Sequence, residues 1–72
     1  MEINIGRTFA ERLKDLRIEK GLSALKLSKE LGVDDNTILR WEKEIMVPNI
    51  INLYKIATYF SVSADYLIGL EN

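Results

Sequence analysis

Asn36 and Arg40 carry side chains whose chemistry is hydrogen-bonded recognition, not bond-making. An amide sets a donor beside an acceptor and can meet two atoms of an adenine edge; a guanidinium can do the same with O6 and N7 of guanine. The competing reading is that they are simply exposed polar residues on a solvated face. Asp35 divides in the same way. A carboxylate can accept from cytosine N4 yet repels phosphates, and beside Asp34 it equally suits the positive end of a helix.

A pair of short helices must hold these residues. Ser23 can cap a helix running to Leu31, and Gly32 supplies the left-handed residue that stops it. After Val33, Asp34 can cap a second helix reaching Lys43 or so. Two helices joined by a turn of about three or four residues containing Gly form a helix-turn-helix, a unit that puts its second helix into the major groove of DNA.

Composition narrows the alternatives. At 72 residues the chain has room for one domain, and 47% hydrophobic residues suffice for one core. Cys and His are both absent, which removes disulfides, thiol nucleophiles, zinc sites and imidazole bases together. No catalytic residue, metal or cofactor is expected, and no small-molecule ligand is evident. The longest apolar run, Ile45-Met46-Val47, is ended by Pro48, far short of the ~20 residues of a membrane span. The opening Met1-Glu2-Ile3-Asn4 lacks the regions of a secretory signal, so a soluble, cytoplasmic protein is expected. Charge argues weakly against a nucleic-acid partner: the net charge is −1, and residues 23–49 set four cations against five acids, again −1.

The remaining helices follow from spacing and stops. Phe9, Leu13 and Leu16 recur at helical intervals, so a first helix runs over 5–20 to the terminator Gly21. Asn4 is the preferred N-cap; a Thr8–Glu11 capping box would shorten the helix by a turn. Pro48-Asn49 closes the irregular stretch from Glu44, Asn49 caps a fourth helix over 50–60, and Ser63 caps a fifth over 64–68, stopped by Gly69. The expected fold is all-α: five helices near 5–20, 24–31, 35–43, 50–60 and 64–68, in a single domain over residues 1–72 whose helix-turn-helix unit is 23–43. The expected core is Phe9, Leu13, Leu16, Leu27, Leu31, Val33, Ile38, Trp41, Leu53, Ile56, Ala57, Val62 and Leu67.

The order Arg-Leu-Lys-Asp-Leu-Arg-Ile-Glu-Lys-Gly-Leu-Ser at 12–23, Leu-Gly-Val at 31–33, Thr-Ile-Leu-Arg-Trp-Glu at 37–42, Pro48, Leu53 to Ala57 and Val-Ser-Ala-Asp-Tyr-Leu-Ile-Gly at 62–69 resembles the Cro/CI-type, or Xre-like, helix-turn-helix regulators. The resemblance spans residues 5–70 in register. It implies a compact, lambda-repressor-like five-helix domain that binds a double-stranded DNA operator as a homodimer and regulates transcription. It places Asp35, Asn36 and Arg40 at base-reading positions, and Thr37 and Lys43 nearer the phosphates, with Ser23 and Ala24 opening the helix before them. It pairs Arg17 with Glu42 beneath the DNA-binding surface; two independent surface charges are the alternative. It also implies dimerisation through the last helix and its flanks, around 59–72, where Tyr66, Ile68 and Leu70 offer apolar surface. The alternative is that Tyr66 and Ile68 complete the monomer core.

Departures from the family pattern matter as much. Ala24 stands where Gln usually touches a phosphate, leaving only backbone N–H groups there. Glu44-Ile45-Met46-Val47 replaces a loop that usually reads Gly followed by basic or polar residues, and Leu25 and Leu39 sit where polar residues are usual. Either these form an exposed apolar patch, or residues 45–47 fold back over Trp41 and Leu53 as core. The favoured function is a prophage-repressor-like, sequence-specific DNA-binding regulator. The competing class is a protein-interaction module with little DNA affinity, and an enzyme is a distant third.

Overall fold

A side-chain oxygen begins four of the five helices. The computed structural model describes residues 4–72; Met1-Glu2-Ile3, read above for the lack of a secretory signal, lies outside the described residues. The order is α1 (Ile5–Glu19), α2 (Ala24–Leu31), α3 (Thr37–Glu42), α4 (Ile50–Phe60) and α5 (Ala64–Ile68), with no strand among the described residues. Asn4, Ser23, Asn49 and Ser63 each accept from the backbone N–H three residues on, satisfying a donor that the first helical turn leaves free.

The third helix departs from the expected 35–43. Its regular part starts at Thr37 because Asp34 is used one turn earlier: its carbonyl accepts from Thr37 N–H at 2.9 Å and its carboxylate from Asn36 N–H at 3.3 Å. Asn36 is left as N-cap with no side-chain cap bond. The connection between α2 and α3 therefore runs over five residues, 32–36, not three or four.

Phe9, Leu13, Leu27, Leu31, Ile38, Trp41, Ile56 and Leu67 form the buried core, with Phe9 set edge-on to Trp41 at 6.0 Å between ring centroids. Leu16, Val33, Leu53, Ala57 and Val62, expected inside, are only partly buried and pack around it. Ala10 and Ser28, not expected, are fully enclosed. α1 crosses under α3 and α5, so the two elements with the fewest residues rest on the longest one. That matters because six residues are too few to hold a helix in water without tertiary contacts.

Three left-handed glycines, Gly21, Gly32 and Gly69, set the chain direction after helices. Gly32 has φ +70° with open space around it; Gly69 has φ +89°, and a Cβ there would stand 3.1 Å from Thr8 Cγ2. Gly32→Ala is expected to cost about 1 kcal/mol from backbone conformation, and Gly69→Ala about 2 kcal/mol because a close contact adds to it. Urea denaturation of both checks this, and repeating Gly69→Ala in a Thr8→Ser background, which removes Cγ2, is expected to erase the difference.

Candidate nucleic-acid interface

The α2–α3 connection determines what α3 can present. Gly32 closes α2 in the left-handed region while Val33 N–H donates back to Ser28 O at 3.0 Å. The buried Ser28 hydroxyl then donates to Asp35 O at 3.3 Å, tying α2 to the turn ahead of α3. Ser28 had no signal in the hydrophobic pattern. Its position beside Leu27, on the face that packs against α3, is what could have revealed it.

Asp35, Asn36, Arg40 and Lys43 are exposed, and Thr37 is partly buried. Arg40 N–H donates to Asn36 O at 3.1 Å, so their side chains stand one turn apart. Ser23 is exposed, but its hydroxyl is committed to the Lys26 N–H at 3.0 Å; Ala24 packs against the core, so its side chain offers nothing polar. The site residues thus fall into two groups: Asp35, Asn36, Arg40 and Lys43 around α3, and the capped start of α2.

Most cations here already face acids. Lys26 lies 3.3 Å from Glu30, Arg40 3.9 Å from Asp34 and Lys29 4.0 Å from Asp35. Exposed pairs of this kind are worth under about 1 kcal/mol and exchange readily for other anions. Lys43 is in no ion pair among the described residues.

Beneath this surface Arg17 and Glu42 meet in a two-pronged pair: Nε donates to Oε2 at 2.7 Å and Nη2 to Oε1 at 2.9 Å, while Nη1 donates to Leu22 O at 2.8 Å. The side chains are 14% and 7% exposed. The hydrogen bonds to Glu42 raise the Arg17 pKa above its ordinary value, overcoming the opposite effect of burial. The guanidinium is therefore charged at every pH at which the protein is handled.

The loop after α3 is where the apolar alternatives part. Ile45, Met46 and Val47 are 69%, 45% and 58% exposed, so residues 45–47 form surface and not a flap over Trp41 and Leu53. Leu25 and Leu39 are exposed as well. Ile45 N–H donates to Arg40 O at 2.9 Å and Glu44 N–H to Trp41 O at 3.1 Å, a helix stop normally built on Gly. Here Glu44 takes it at φ +62°.

The three residues expected at a dimer surface differ in exposure. Tyr66 packs against the core with Arg12 4.4 Å above its ring, and Arg12 also donates to the Tyr66 and Glu71 carbonyls. Ile68 is partly buried among Ile5, Phe9 and Leu53. Only Leu70 of the three is largely free, at 73% exposed. The clasp by Arg12 was unforeseen from sequence and covers one face of the Tyr66 ring.

A family model for a helix-turn-helix domain matches residues 10–72. Over 64 residues the chain is 27% identical to the HTH-type transcriptional regulator ImmR of Bacillus subtilis (strain 168), covering 89% of this chain and 50% of that one. Over 61 residues it is 30% identical to the cryptic phage CTXphi transcriptional repressor RstR of Vibrio cholerae, covering 85% and 55%. The chain thus spans about half the length of these curated relatives. Among solved structures, a hypothetical transcription factor NHTF from Neisseria superposes with a TM-score of 0.83 at 22% identity, over 94% of this chain and 83% of that one. An HTH_3 family transcriptional regulator from Vibrio cholerae superposes with 0.77 at 27% identity, over 93% and 38%.

Glu42→Ala strands the Arg17 charge in a half-closed site and is expected to cost about 3 kcal/mol. Glu42→Gln, which keeps one acceptor, is expected to cost less. Thermal unfolding of both variants checks this; a negligible change in both would mean that the pair contributes no stability.

Proposed function

The chain belongs to the helix-turn-helix domain family, and we propose that it is a sequence-specific DNA-binding transcriptional regulator of the prophage-repressor kind, acting in the cytoplasm as a homodimer on an operator. The observation that carries this is the exposed pair Asn36 and Arg40, one turn apart at the start of a second helix that Arg17, Ile38 and Trp41 hold from below. In this reading Asn36 pairs with adenine and Arg40 with guanine, Thr37 and Lys43 meet phosphates, and the first turn of α2 at Ser23 and Ala24 contributes backbone N–H groups. Asp35 accepts from cytosine N4 or serves the helix end. The relatives' names, a regulator and a phage repressor, support this function class.

The charge distribution makes the reading quantitative. Lys26, Lys29, Arg40 and Lys43 are the cations of residues 23–49, so at ~0.9 per phosphate neutralised, log affinity falls against log salt with a slope no steeper than about −4 per bound domain. Arg40→Ala is expected to weaken operator binding by ~1–3 kcal/mol and relax preference at one guanine per half-site; Lys43→Ala is expected to weaken all duplexes alike. Fluorescence anisotropy on a duplex selected from a random library, repeated across salt concentrations, measures each quantity. Arg40→Ala with affinity and base preference both intact would remove α3 from the groove.

One observation favours a second reading. Leu25, Leu39, Ile45, Met46, Val47, Ile50, Ile51 and Tyr54 are all exposed, an apolar allotment suited to a protein-interaction module. Such a module would show no salt-dependent binding to random-sequence duplex in the same measurement.

For the homodimer, Leu70 and its flanks are the proposed contact, which would set two α3 helices ~34 Å apart to match one turn of DNA. Sedimentation of the wild type and Leu70→Asp at matched concentrations is expected to show a dimer weakened by the substitution. A wild type that stays monomeric with and without DNA would end the proposal.

A further inference from the structure

A cavity of about 280 Å³ opens where the first half of α1, the α3–α4 loop, α4 and the end of α5 meet. Ile5, Phe9, Val47, Pro48, Leu53 and Ile68 line it, so every side chain in its wall is apolar. The recess has depth. Phe9 at its floor is 2% exposed and Leu53 packs against the core, whereas Ile5 and Val47 are 50% and 58% exposed and form its rim. Val47 leans onto α1, because a Cβ placed on Gly6 would stand 3.4 Å from Val47 Cγ1.

These walls select their occupant by what they lack. An ordered water needs about two to four polar partners, and the lining side chains offer it none. Water that enters is therefore poorly held, and displacing such water with an apolar group is favourable. A charged molecule fares worse, since it would give up its hydration without meeting a counter-charge in the wall. A cavity of ~150 Å³ lined by such residues already takes a benzene ring, so this one has room for a ring with several further carbons. A recess with a buried floor and a rim of two side chains also suits a compact body better than a docked helix.

We propose that this cavity binds a small uncharged apolar molecule, of the size of a substituted aromatic ring, which enters between Ile5 and Val47 and rests on Phe9, Leu53 and Ile68. The site does not depend on whether α3 reads DNA, since none of the residues assigned above to bases or phosphates lines it.

Methyl ¹H–¹³C spectra of the full chain test this, with toluene as the probe and benzoate as its charged counterpart. The expected result is a saturable shift of the Ile5, Val47, Leu53 and Ile68 methyl peaks with toluene, and no such shift with benzoate at equal concentration. Val47→Asp sets a carboxylate on the rim and is expected to raise half-saturation about tenfold. Ile51→Asp, similarly exposed but outside the cavity, is expected to leave it unchanged. Both positions are exposed, and the dispersion of the remaining peaks verifies that each variant is folded. Four outcomes overturn the proposal. The cavity peaks may not move up to the solubility limit of toluene. They may move no more than those of Leu25, Leu39 and Ile45, which would mean general adhesion to exposed apolar groups. Benzoate may act as well as toluene, or Val47→Asp may bind like the wild type. Finally, cavity peaks that shift on dilution of the protein alone would assign the recess to a second copy of the chain.

Discussion

The Arg17–Glu42 fork is the contact on which the placement of α3 depends. One guanidinium joins three segments: its own helix α1, the Leu22 carbonyl at the turn into α2, and the last residue of α3. Six residues cannot set their own direction, so α3 is aimed by what grips it. Ile38 and Trp41 anchor it to the core, and Glu42 locks its end. In free-energy terms a buried ion pair is close to neutral against a well-packed apolar replacement. An apolar replacement, however, would tolerate sliding, whereas two short, directed N–H···O bonds define both the position and the rotation of the helix. The pair holds an orientation more than it adds net stability.

Much of this architecture was legible in the sequence because it is written in local rules. Asn4, Ser23, Asn49 and Ser63 occupy cap positions and do what cap residues do, Gly32 and Gly69 stop helices in the left-handed region, and the leucine spacing of α1 and α2 marks their inner faces. Four of the five helix starts fall where these residues put them. What was less legible depends on partners distant in sequence. Asp34 caps one turn earlier than a simple N-cap reading assumes, because its carboxylate and its carbonyl serve successive N–H groups. Ala10 and Ser28 are enclosed because other helices close over them, which no hydropathy value of their own records.

The end of the chain shows the same limit more sharply. Tyr66 and Ile68 read as surplus apolar area when α5 is considered as a short helix alone. Arg12 then comes from 54 residues away to donate to the Tyr66 carbonyl, and its guanidinium lies over the Tyr66 ring. That arrangement gives a second donor to a carbonyl that already accepts a long bond from Gly69 N–H at 3.3 Å, and shields an aromatic face at once. Glu71, whose carbonyl also accepts from Arg12, bonds to the Ser63 hydroxyl at the other end of α5, so the tail crosses the helix and is held at both ends. Surface that looks available from spacing is therefore mostly in use.

The stretch from Glu44 to Val47 combines a strained backbone with unfavourable surface chemistry. Glu44 adopts a left-handed φ that for a residue with a Cβ costs about 1 kcal/mol, and it holds a carboxylate where a DNA-facing loop would want none. The three residues after it expose apolar side chains to solvent. The helix stop itself is intact, with both backbone bonds made, so α3 ends at Glu42 and does not run on into the loop. For the proposed DNA reading the consequence is a division of labour: with the loop supplying no cation, attraction to phosphates rests on Lys43 and on cations that must first leave Asp34, Asp35 and Glu30. Each exchange costs little, because exposed pairs are weak, but each also returns little. In that proposed reading, discrimination between sequences would come from Asn36 and Arg40 far more than from general affinity, and the affinity that one domain lacks would have to be supplied by a second domain bound to the same duplex.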